Sequence, residues 1–259
     1  MSSPFTGVAA GVPFTALAPA GGGPAPLIVT WHMLDAPRSD AAFAAALPLD
    51  GVRAWRVHLG LPMCGARMVG GVMDAGLALL REEPLVKVLH PFARQAAEEF
   101  PAAVESLREQ LPVDGPVGLV GGSLGGAVVL RVLAENPVPV FAAALVNPAV
   151  RMRSVMELFP GYVYSPESAA LADGMDFVAR AGELAPVPLL VASGELDHPG
   201  FRADARELVA AVGERARLWE VPGLAHPLAE EPGIEPAPQL PQARAVDAGL
   251  AEWFTRQLG

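Results

Sequence analysis

The chain has 259 residues, of which 52% are hydrophobic, and its formal net charge at pH 7 is -10. A chain of this length and composition can bury a substantial core as one α/β domain. The negative charge and the single lysine, Lys87, disfavour a sequence-independent nucleic-acid binder, which needs clustered basic side chains to displace counterions. A single cysteine, Cys64, excludes an intramolecular disulfide and a cysteine-rich metal site.

We expect neither an export signal nor a membrane-spanning segment in this sequence. Its N-terminal stretch, MSSPFTGVAAGVPF, lacks a basic region and a continuous apolar run of signal-peptide length. No later run reaches about 18 uninterrupted apolar residues, which a membrane-spanning helix requires. We therefore expect a cytoplasmic protein with no membrane partner.

Short apolar runs alternate with helix-length amphipathic segments, and this alternation predicts βαβ units. In chain order, the predicted strands are Pro13–Leu17, Leu27–Trp31, Ala54–Leu59, Val117–Gly121, Phe141–Val146, Pro188–Ala192 and Arg217–Val221. The predicted helices are Ala41–Ala46, Arg94–Gln110, Leu124–Glu135, Arg202–Val212 and Ala243–Gln257. Pro137, which follows Asn136, is expected to end the predicted helix Leu124–Glu135. The sequence thus predicts a single α/β domain over residues 1–259, with a mostly parallel central sheet and helices on both faces.

Residues 147–186 form an unusually long connection between two predicted strands. About forty residues is long for a compact domain, in which roughly 2 to 6 residues is usual for such a loop. Because long insertions are usually functional, we expect this segment to form a small helical cap. An ordinary crossover helix with ragged ends is the alternative.

The stretch LVGGSLGG surrounds one serine, Ser123, with glycines. A phosphate-binding loop would need a lysine and a hydroxyl residue after Gly126, but an alanine and a valine follow it. What remains is the pattern G-x-S-x-G at Gly121–Gly125, with an apolar strand before it and a helix after it, as in a nucleophile elbow. A serine in such a strained turn needs small residues two positions before and after it. The sequence therefore predicts Ser123 as a nucleophile.

A serine hydroxyl is a weak nucleophile and needs a histidine base, which a carboxylate in turn orients. Asp197 comes shortly after the sixth predicted strand, and His226 comes shortly after the seventh. Because ligands and catalytic groups of open α/β sheets gather at the carboxyl ends of the strands, these side chains are expected to meet Ser123. Glu195 is close enough in sequence to replace Asp197.

This arrangement resembles the α/β-hydrolase superfamily, whose catalytic residues follow one another in the order Ser, Asp or Glu, His. The resemblance covers about residues 12–257 in element order. It implies that Asp197, three residues after the strand-end Gly194, is the acid. It also implies a serine hydrolase, although it does not name the substrate, and no cofactor is predicted.

The resemblance further implies an oxyanion hole built from two backbone N–H groups. One donor is Leu124, at the start of a helix, where unsatisfied N–H groups favour a developing negative charge. The other comes from the loop that follows the second predicted strand, where the sequence reads His32-Met33-Leu34. The family usually has glycine where Met33 stands, so either Met33 or Leu34 is the second donor. His32 matches the histidine that organises this loop.

Several large apolar residues are candidates for a substrate pocket, although such residues more often belong to the core. If they line the entrance, the pocket prefers an uncharged, apolar acyl or alcohol group. These candidates are Met63, Met152, Met156, Phe159 and Tyr162. In the same region, Arg151 and Arg153 are either ligands for a substrate carboxylate or solvated charges.

The remaining histidines and the cysteine have plainer interpretations. His58 and His90 are expected to be partly buried strand-end residues, and His198 a solvated neighbour of the acid. No two histidines have the spacing of a helical zinc pair, so no metal is predicted. Cys64 is expected to be a small apolar filler.

The predicted function is cleavage of a small, mainly apolar carboxylic ester through an acyl-enzyme on Ser123. The partner is therefore a small-molecule ester. Thioesterase, acyltransferase and peptidase activities use the same apparatus and stay open. A non-catalytic ligand-binding protein is the alternative from another class, and the oligomeric state is left open.

Overall fold

The computed structural model describes residues 4–19, 21–135 and 138–259. The predicted helix end at Asn136-Pro137 lies outside these ranges. The described strands are β1 (Phe5–Ala9), β2 (Val12–Leu17), β3 (Ala25–Trp31), β4 (Trp55–Leu59), β5 (Val113–Gly122), β6 (Val140–Val146), β7 (Leu189–Gly194) and β8 (Ala216–Val221). The described α-helices are α1 (Asp40–Ala46), α2 (Asp74–Glu82), α3 (His90–Gln110), α4 (Leu124–Glu135), α5 (Met152–Met156), α6 (Pro166–Gly174), α7 (Pro199–Val212) and α8 (Pro241–Leu258). Short helical turns cover Gly65–Arg67, Val69–Gly71, Leu85–Leu89, Ala181–Glu183 and Gly213–Arg215.

The strands form one sheet in the order β1-β2-β4-β3-β5-β6-β7-β8. From β4 to β8 every neighbouring pair is parallel, while β1 pairs antiparallel with β2, and β2 antiparallel with β4. All the predicted strands are confirmed, and so is the mostly parallel sheet. The prediction missed β1, whose residues are largely exposed. An edge strand in an antiparallel hairpin needs no continuous apolar run, so the apolar pattern could not detect it.

Helices cover both faces of the sheet, as predicted. Buried side chains of α3, α4 and α7 form one core cluster, and those of α1 and α8 form a second cluster on the opposite face. Successive side chains of β3 point to opposite faces of the sheet. Leu27 and Val29 therefore belong to the first cluster and Ile28 to the second.

Two segments carry helices to which the sequence analysis gave no bounds, although a helical cap was expected in the second of them. Between β4 and α3, the chain forms α2 and the π-helical turn Leu85–Leu89. Within residues 147–186, the predicted cap, it forms α5 and α6. Their brevity and the glycines and prolines beside them hide the helical period, which needs a longer window to be recognised.

Ion pairs attach the predicted cap to the body of the protein. Arg151 contacts Asp176 at 3.2 Å, Asp204 at 2.9 Å and Glu207 at 2.6 Å. Arg153 binds Asp173 within the same segment. Both arginines therefore have carboxylate partners in the chain, which favours the interpretation that they are not substrate ligands. None of the helices in the described ranges combines the length and the apolar character needed to cross a bilayer.

Candidate active site

Ser123 lies in a sharp turn between β5 and α4, with a backbone φ of 48°. Positive φ is rare for a non-glycine residue and marks a strained position. The neighbouring glycines make the turn possible. A Cβ atom at Gly121 would lie 2.1 Å from the Gly125 carbonyl oxygen, and one at Gly125 would lie 2.2 Å from the Trp31 carbonyl oxygen. No side chain fits at either position, which is the geometry that the pattern predicts.

Asp197, His226 and Ser123 form a continuous chain of hydrogen bonds. The His226 Nε2 atom lies 2.9 Å from the Ser123 hydroxyl oxygen, and the Nδ1 atom lies 2.8 Å from Oδ1 of Asp197. The same carboxylate oxygen accepts the backbone N–H of His198 at 2.7 Å. An ionised carboxylate only accepts, so Nδ1 carries the proton of the neutral ring and Nε2 is free to accept from the serine. The three side chains that the sequence singled out are therefore brought together.

Glu195, the alternative acid, lies apart from the histidine. It is exposed, and its carboxylate accepts the backbone N–H of Gly223 at 2.9 Å. The Asp197 side chain, in contrast, is only 1% exposed. The structure thus favours Asp197 as the partner of His226.

Asn147, which the sequence analysis missed, connects the loops of the acid and the histidine. Its side-chain nitrogen donates to the carbonyl oxygens of Ala225 at 2.8 Å and His226 at 3.0 Å. Its side-chain oxygen accepts the N–H of Gly194 at 2.7 Å, three residues before Asp197. The only sequence signal was its place directly after β6, a strand-end polar position like that of Asp197.

Asp35 is a second carboxylate beside the histidine, and the sequence analysis missed it too. Its Oδ2 atom lies 3.5 Å from Nε2 of His226, and its side chain is 49% exposed. Burial of the His226 ring lowers its pKa, while the hydrogen bond to Asp197 and the charges of Asp197 and Asp35 raise it. The attractions prevail, so the pKa of His226 lies above its ordinary value of 6.5.

His32 is fully buried and fixes the loop after β3. Leu61 donates its backbone N–H to Nε2 of His32 at 3.1 Å, so Nδ1 carries the proton and donates to the Met33 carbonyl oxygen at 2.6 Å. Burial lowers the pKa of His32 to about 4, so the ring is neutral at pH 7. In a trans peptide the C=O and the next N–H point in opposite directions, so this bond also orients the N–H of Leu34.

Met33 and Leu34 differ in their surroundings. The Met33 side chain is buried in the core beside Gly122. Leu34 and Leu124 both line the cavity that contains Ser123 and His226, which we call the serine cavity. The surroundings therefore favour Leu34 over Met33 as the residue that faces a bound molecule.

The serine cavity has a volume of about 240 Å³ and mainly apolar walls. Leu77, Leu80 and Leu89 come from the segment between β4 and α3, and Val155, Leu158 and Phe159 come from residues 147–186. Phe201 packs against the His226 ring, with centroids 5.0 Å apart. Both segments thus contribute walls to the serine cavity.

The five predicted substrate-contact residues lie in different places. Phe159 lines the serine cavity, and Met63 lines a neighbouring cavity. Met152 and Met156 are buried in the core and are absent from the described lining of both cavities, so for these two the plainer core interpretation holds. Tyr162 lines a groove on the surface and donates a hydrogen bond to Glu83. Spacing in the sequence could not separate core from cavity wall here.

The other histidines have structural surroundings. His58 is fully buried against Thr30, at 2.8 Å, and burial lowers its pKa to about 3, so the expectation of partial burial was wrong. His90 begins α3 and does not end a strand. His198 is half-buried and caps α7 by accepting the N–H of Gly200.

Two further predictions concern Cys64 and the possible metal ligands. Burial raises the pKa of Cys64 to about 12, which keeps the thiol protonated and unreactive at neutral pH. Within residues 4–19, 21–135 and 138–259, no three His, Cys, Asp or Glu side chains are arranged to hold a metal ion. The absence of a metal stays a prediction.

No protein-family model matches this chain, and no curated protein sequence matches it. Solved structures, however, are similar over nearly its whole length. TT1662 from Thermus thermophilus is 22% identical, with a TM-score of 0.69 over 98% of this chain and 99% of that one. The esterase domain of a Rhodothermus marinus protein is 17% identical, with a TM-score of 0.65 over 100% of both chains. A monoacylglycerol lipase from Paleococcus ferrophilus is 14% identical, with a TM-score of 0.62 over 99% of this chain and 100% of that one.

These likenesses agree with the order and direction of the strands described above. They also agree with the resemblance that the elbow and the order of Ser123, Asp197 and His226 suggested. The chain therefore has the α/β-hydrolase fold.

Proposed function

We propose that the protein is a serine hydrolase that cleaves a small, mainly apolar carboxylic ester through an acyl-enzyme on Ser123. The observation that carries the proposal is the hydrogen-bond chain from Asp197 through His226 to Ser123, with contacts of 2.8 and 2.9 Å. This is the geometry that converts a weak hydroxyl into a nucleophile. The esterase and lipase named among the similar structures support an ester as substrate.

In the proposed reaction, His226 Nε2 takes the hydroxyl proton as the Ser123 oxygen attacks the ester carbonyl carbon. The tetrahedral intermediate then collapses, and His226 returns the proton to the departing alcohol. A water molecule, deprotonated by the same nitrogen, attacks the acyl-enzyme and releases the carboxylic acid. Asp197 holds the ring with its proton on Nδ1 and stabilises the imidazolium.

We assign the oxyanion hole to the backbone N–H groups of Leu124 and Leu34. Leu124 is the first residue of α4, where the N–H groups have no partner within the helix. Leu34 is favoured over Met33 because it lines the serine cavity and because the Met33 carbonyl, held by His32, fixes the direction of its N–H. Each donor is worth about 2.7 to 4 kcal/mol of barrier lowering.

The segment 147–186, together with the chain between β4 and α3, is proposed to cap the serine cavity. Its apolar walls favour uncharged groups on both sides of the scissile bond. Thioester hydrolysis, acyl transfer and peptide cleavage would use the same residues and are the alternatives within this mechanism. We also propose that the protein acts in the cytoplasm and needs no cofactor, nucleic acid or membrane partner. This part of the proposal rests on the sequence alone.

A fluorophosphonate probe tests the proposal, because it reacts only with an activated serine. We expect covalent labelling of the wild type and of Ser106→Ala, a matched serine variant in α3, and no labelling of Ser123→Ala. Mass spectrometry of the adduct locates the labelled residue. A folded wild-type protein that takes no label would overturn the proposal in favour of a non-catalytic ligand-binding protein. Label that persists in Ser123→Ala would overturn the choice of nucleophile.

Asp35 is expected to shift the pH dependence of hydrolysis. The base acts in its neutral form, so activity falls as pH drops through the pKa of His226. Asp35→Asn removes one of the charges that raise this pKa, so the pKa falls and the acid limb of the kcat/KM profile moves to lower pH. Asp114→Asn, an exposed aspartate at the opposite end of β5, is the matched control and leaves the profile in place. An acid limb that stays fixed or moves to higher pH in Asp35→Asn would contradict the assignment.

A further inference from the structure

Asp35 is a carboxylate in the wall of the serine cavity that takes no part in the bond changes of the proposed reaction. Its Oδ2 atom lies 3.5 Å from Nε2 of His226, the nitrogen that also lies 2.9 Å from the Ser123 hydroxyl oxygen. Within the described ranges, no N–H or O–H group donates a hydrogen bond to Asp35. Nε2 carries no proton in the neutral ring, so it gives none to the carboxylate. Asp35 therefore presents an unpaired negative charge beside the reacting atoms.

The cationic side chain in the same wall does not neutralise this charge. Arg38 pairs with Glu231 at 2.7 Å, and no ion pair joins Arg38 to Asp35 among the described residues. The other described residues of the lining, apart from His226, are uncharged, and most of them are apolar. While the His226 ring is neutral, the cavity therefore has a negative potential close to Asp35, which attracts cations and repels anions.

The backbone beside Asp35 is attached to the loop of the catalytic histidine. The Ala36 carbonyl oxygen, directly after Asp35, accepts the backbone N–H groups of Leu228 at 2.9 Å and Ala229 at 3.3 Å. Both donors follow His226 closely in the chain, so these bonds fix the two loops relative to each other. A charge on a backbone that is already fixed loses little freedom when a ligand binds, which favours selection of a ligand.

Aromatic rings line the same cavity as Asp35. They belong to Phe159 and Phe201, and the Phe201 ring centroid lies 5.0 Å from that of His226. The faces of aromatic rings attract alkylated ammonium groups, whose methyl groups also contact apolar walls. A metal cation such as Ca²⁺ or Mg²⁺ needs several oxygen ligands, which these side chains do not supply. The carboxylate and its surroundings therefore suit an alkylated ammonium group.

We propose that Asp35 is a specificity-determining residue, which binds an ammonium group of the substrate within a few bonds of the ester carbonyl. This proposal rests on the proposed function and refines it, because the apolar walls favour uncharged groups and the position beside Asp35 is the exception. The ammonium group belongs either to the acid, as in a betaine ester, or to the alcohol, as in a choline ester. Both esters place a cation near the carbonyl carbon that Ser123 attacks.

The test compares each cationic ester with an uncharged ester of the same shape, in which carbon replaces the ammonium nitrogen. For the acid side, the pair is betaine methyl ester and methyl 3,3-dimethylbutanoate. For the alcohol side, it is acetylcholine and 3,3-dimethylbutyl acetate. We expect Asp35→Asn to lower the ratio of kcat/KM, cationic over uncharged, about tenfold in at least one pair, which is the low end for an opposite charge nearby because Asp35 is half exposed. The pair that responds identifies the source of the ammonium group.

The comparison of ratios removes the effect of Asp35 on the base. A change in the pKa of His226 alters the rates of both esters of a pair alike, so it cancels in the ratio. Rates are measured on the alkaline side of the acid limb and corrected for spontaneous hydrolysis. Asp114→Asn, the matched control, is expected to keep both ratios. Ratios in Asp35→Asn that equal or exceed those of the wild type in both pairs would overturn the proposal, and so would a wild type that cleaves only the uncharged esters.

A binding measurement separates failure of this assignment from failure of the proposed function. Calorimetry on Ser123→Ala protein uses ketones of the same two shapes, which need no catalysis. Trimethyl(2-oxopropyl)ammonium is compared with 4,4-dimethylpentan-2-one, and (4-oxopentyl)trimethylammonium with 6,6-dimethylheptan-2-one. We expect the further substitution Asp35→Asn to weaken binding of the cationic ketone, relative to the uncharged one, about tenfold in at least one pair.

The two measurements together distinguish the possible failures. If fluorophosphonate labelling fails but the loss of ketone binding occurs, the proposed function is wrong and the ammonium site at Asp35 stands. If labelling succeeds while neither the ester ratios nor the relative ketone binding respond to Asp35→Asn, the assignment of Asp35 alone is wrong.

Discussion

Replacing Asp197 with alanine is expected to lower kcat for an ester by about 10⁴-fold, and replacing Ser123 with alanine by about 10⁶-fold. Without the carboxylate, His226 loses the acceptor that holds its proton on Nδ1 and the charge that stabilises its protonated form. The Asp197→Ala protein still has the nucleophile and its base, which explains why the aspartate matters less than the serine. Steady-state hydrolysis of 4-nitrophenyl esters measures these losses.

Glu195→Ala is the matched control for this carboxylate. Its side chain is exposed and, in the described part of the chain, accepts a hydrogen bond from the backbone N–H of Gly223, so kcat should stay within about twofold of the wild type. Circular dichroism and urea unfolding check that each variant is folded. A large loss in Glu195→Ala with a small one in Asp197→Ala would show that the acid has been assigned to the wrong residue.

Replacing Gly125 with alanine is expected to lower the free energy of unfolding by more than about 3 kcal/mol, at the upper end of the cost of overpacking. The added carbon would lie 2.2 Å from the Trp31 carbonyl oxygen and 2.6 Å from that of His32. Neither contact involves a flexible side chain, so relief requires α4 to move away from the end of β3. That movement displaces Ser123 and the oxyanion loop together, and fluorophosphonate labelling is expected to be lost.

Urea unfolding followed by circular dichroism measures this destabilisation. Gly76→Ala adds the same methyl group where nothing lies within 4 Å, and it is expected to keep or raise the stability by about 0.5 to 1 kcal/mol. The comparison removes the general effect of a glycine-to-alanine change. A Gly125→Ala protein as stable as Gly76→Ala would show that the elbow tolerates a side chain, contrary to the geometry described above.

Much of the fold could be predicted because buried parallel strands leave continuous apolar runs in the sequence. The runs predicted at Leu27–Trp31 and Phe141–Val146 correspond to β3 and β6, with bounds that agree within two residues. The exposed edge strand β1 lacks such a run, and α5 is too short to show a helical period. Elements that are exposed or very short therefore escaped prediction.

The residues of the candidate site likewise fall into those that the sequence could predict and those that it could not. Ser123, Asp197 and His226 could be placed because each follows a recognisable strand, and the sheet brings strand ends together. The choice between Met33 and Leu34 depends on the orientation of one peptide group, which the buried His32 sets. Asp35 lies beside His226 because of the conformation of the loop after β3, and no periodic sequence pattern predicts the conformation of a loop. Met152 and Met156 point into the core for the same reason: neighbours distant in sequence decide their surroundings.

The amide of Asn147 couples the acid and the base mechanically. Its three hydrogen bonds tie the end of β6 to both downstream loops, so neither loop can shift without straining the other. In the proposed reaction, proton transfer between Ser123 and His226 then requires little rearrangement of the surrounding framework. Asn147, which takes no part in the proposed reaction, thus helps to set the distance between the Asp197 carboxylate and the His226 imidazole.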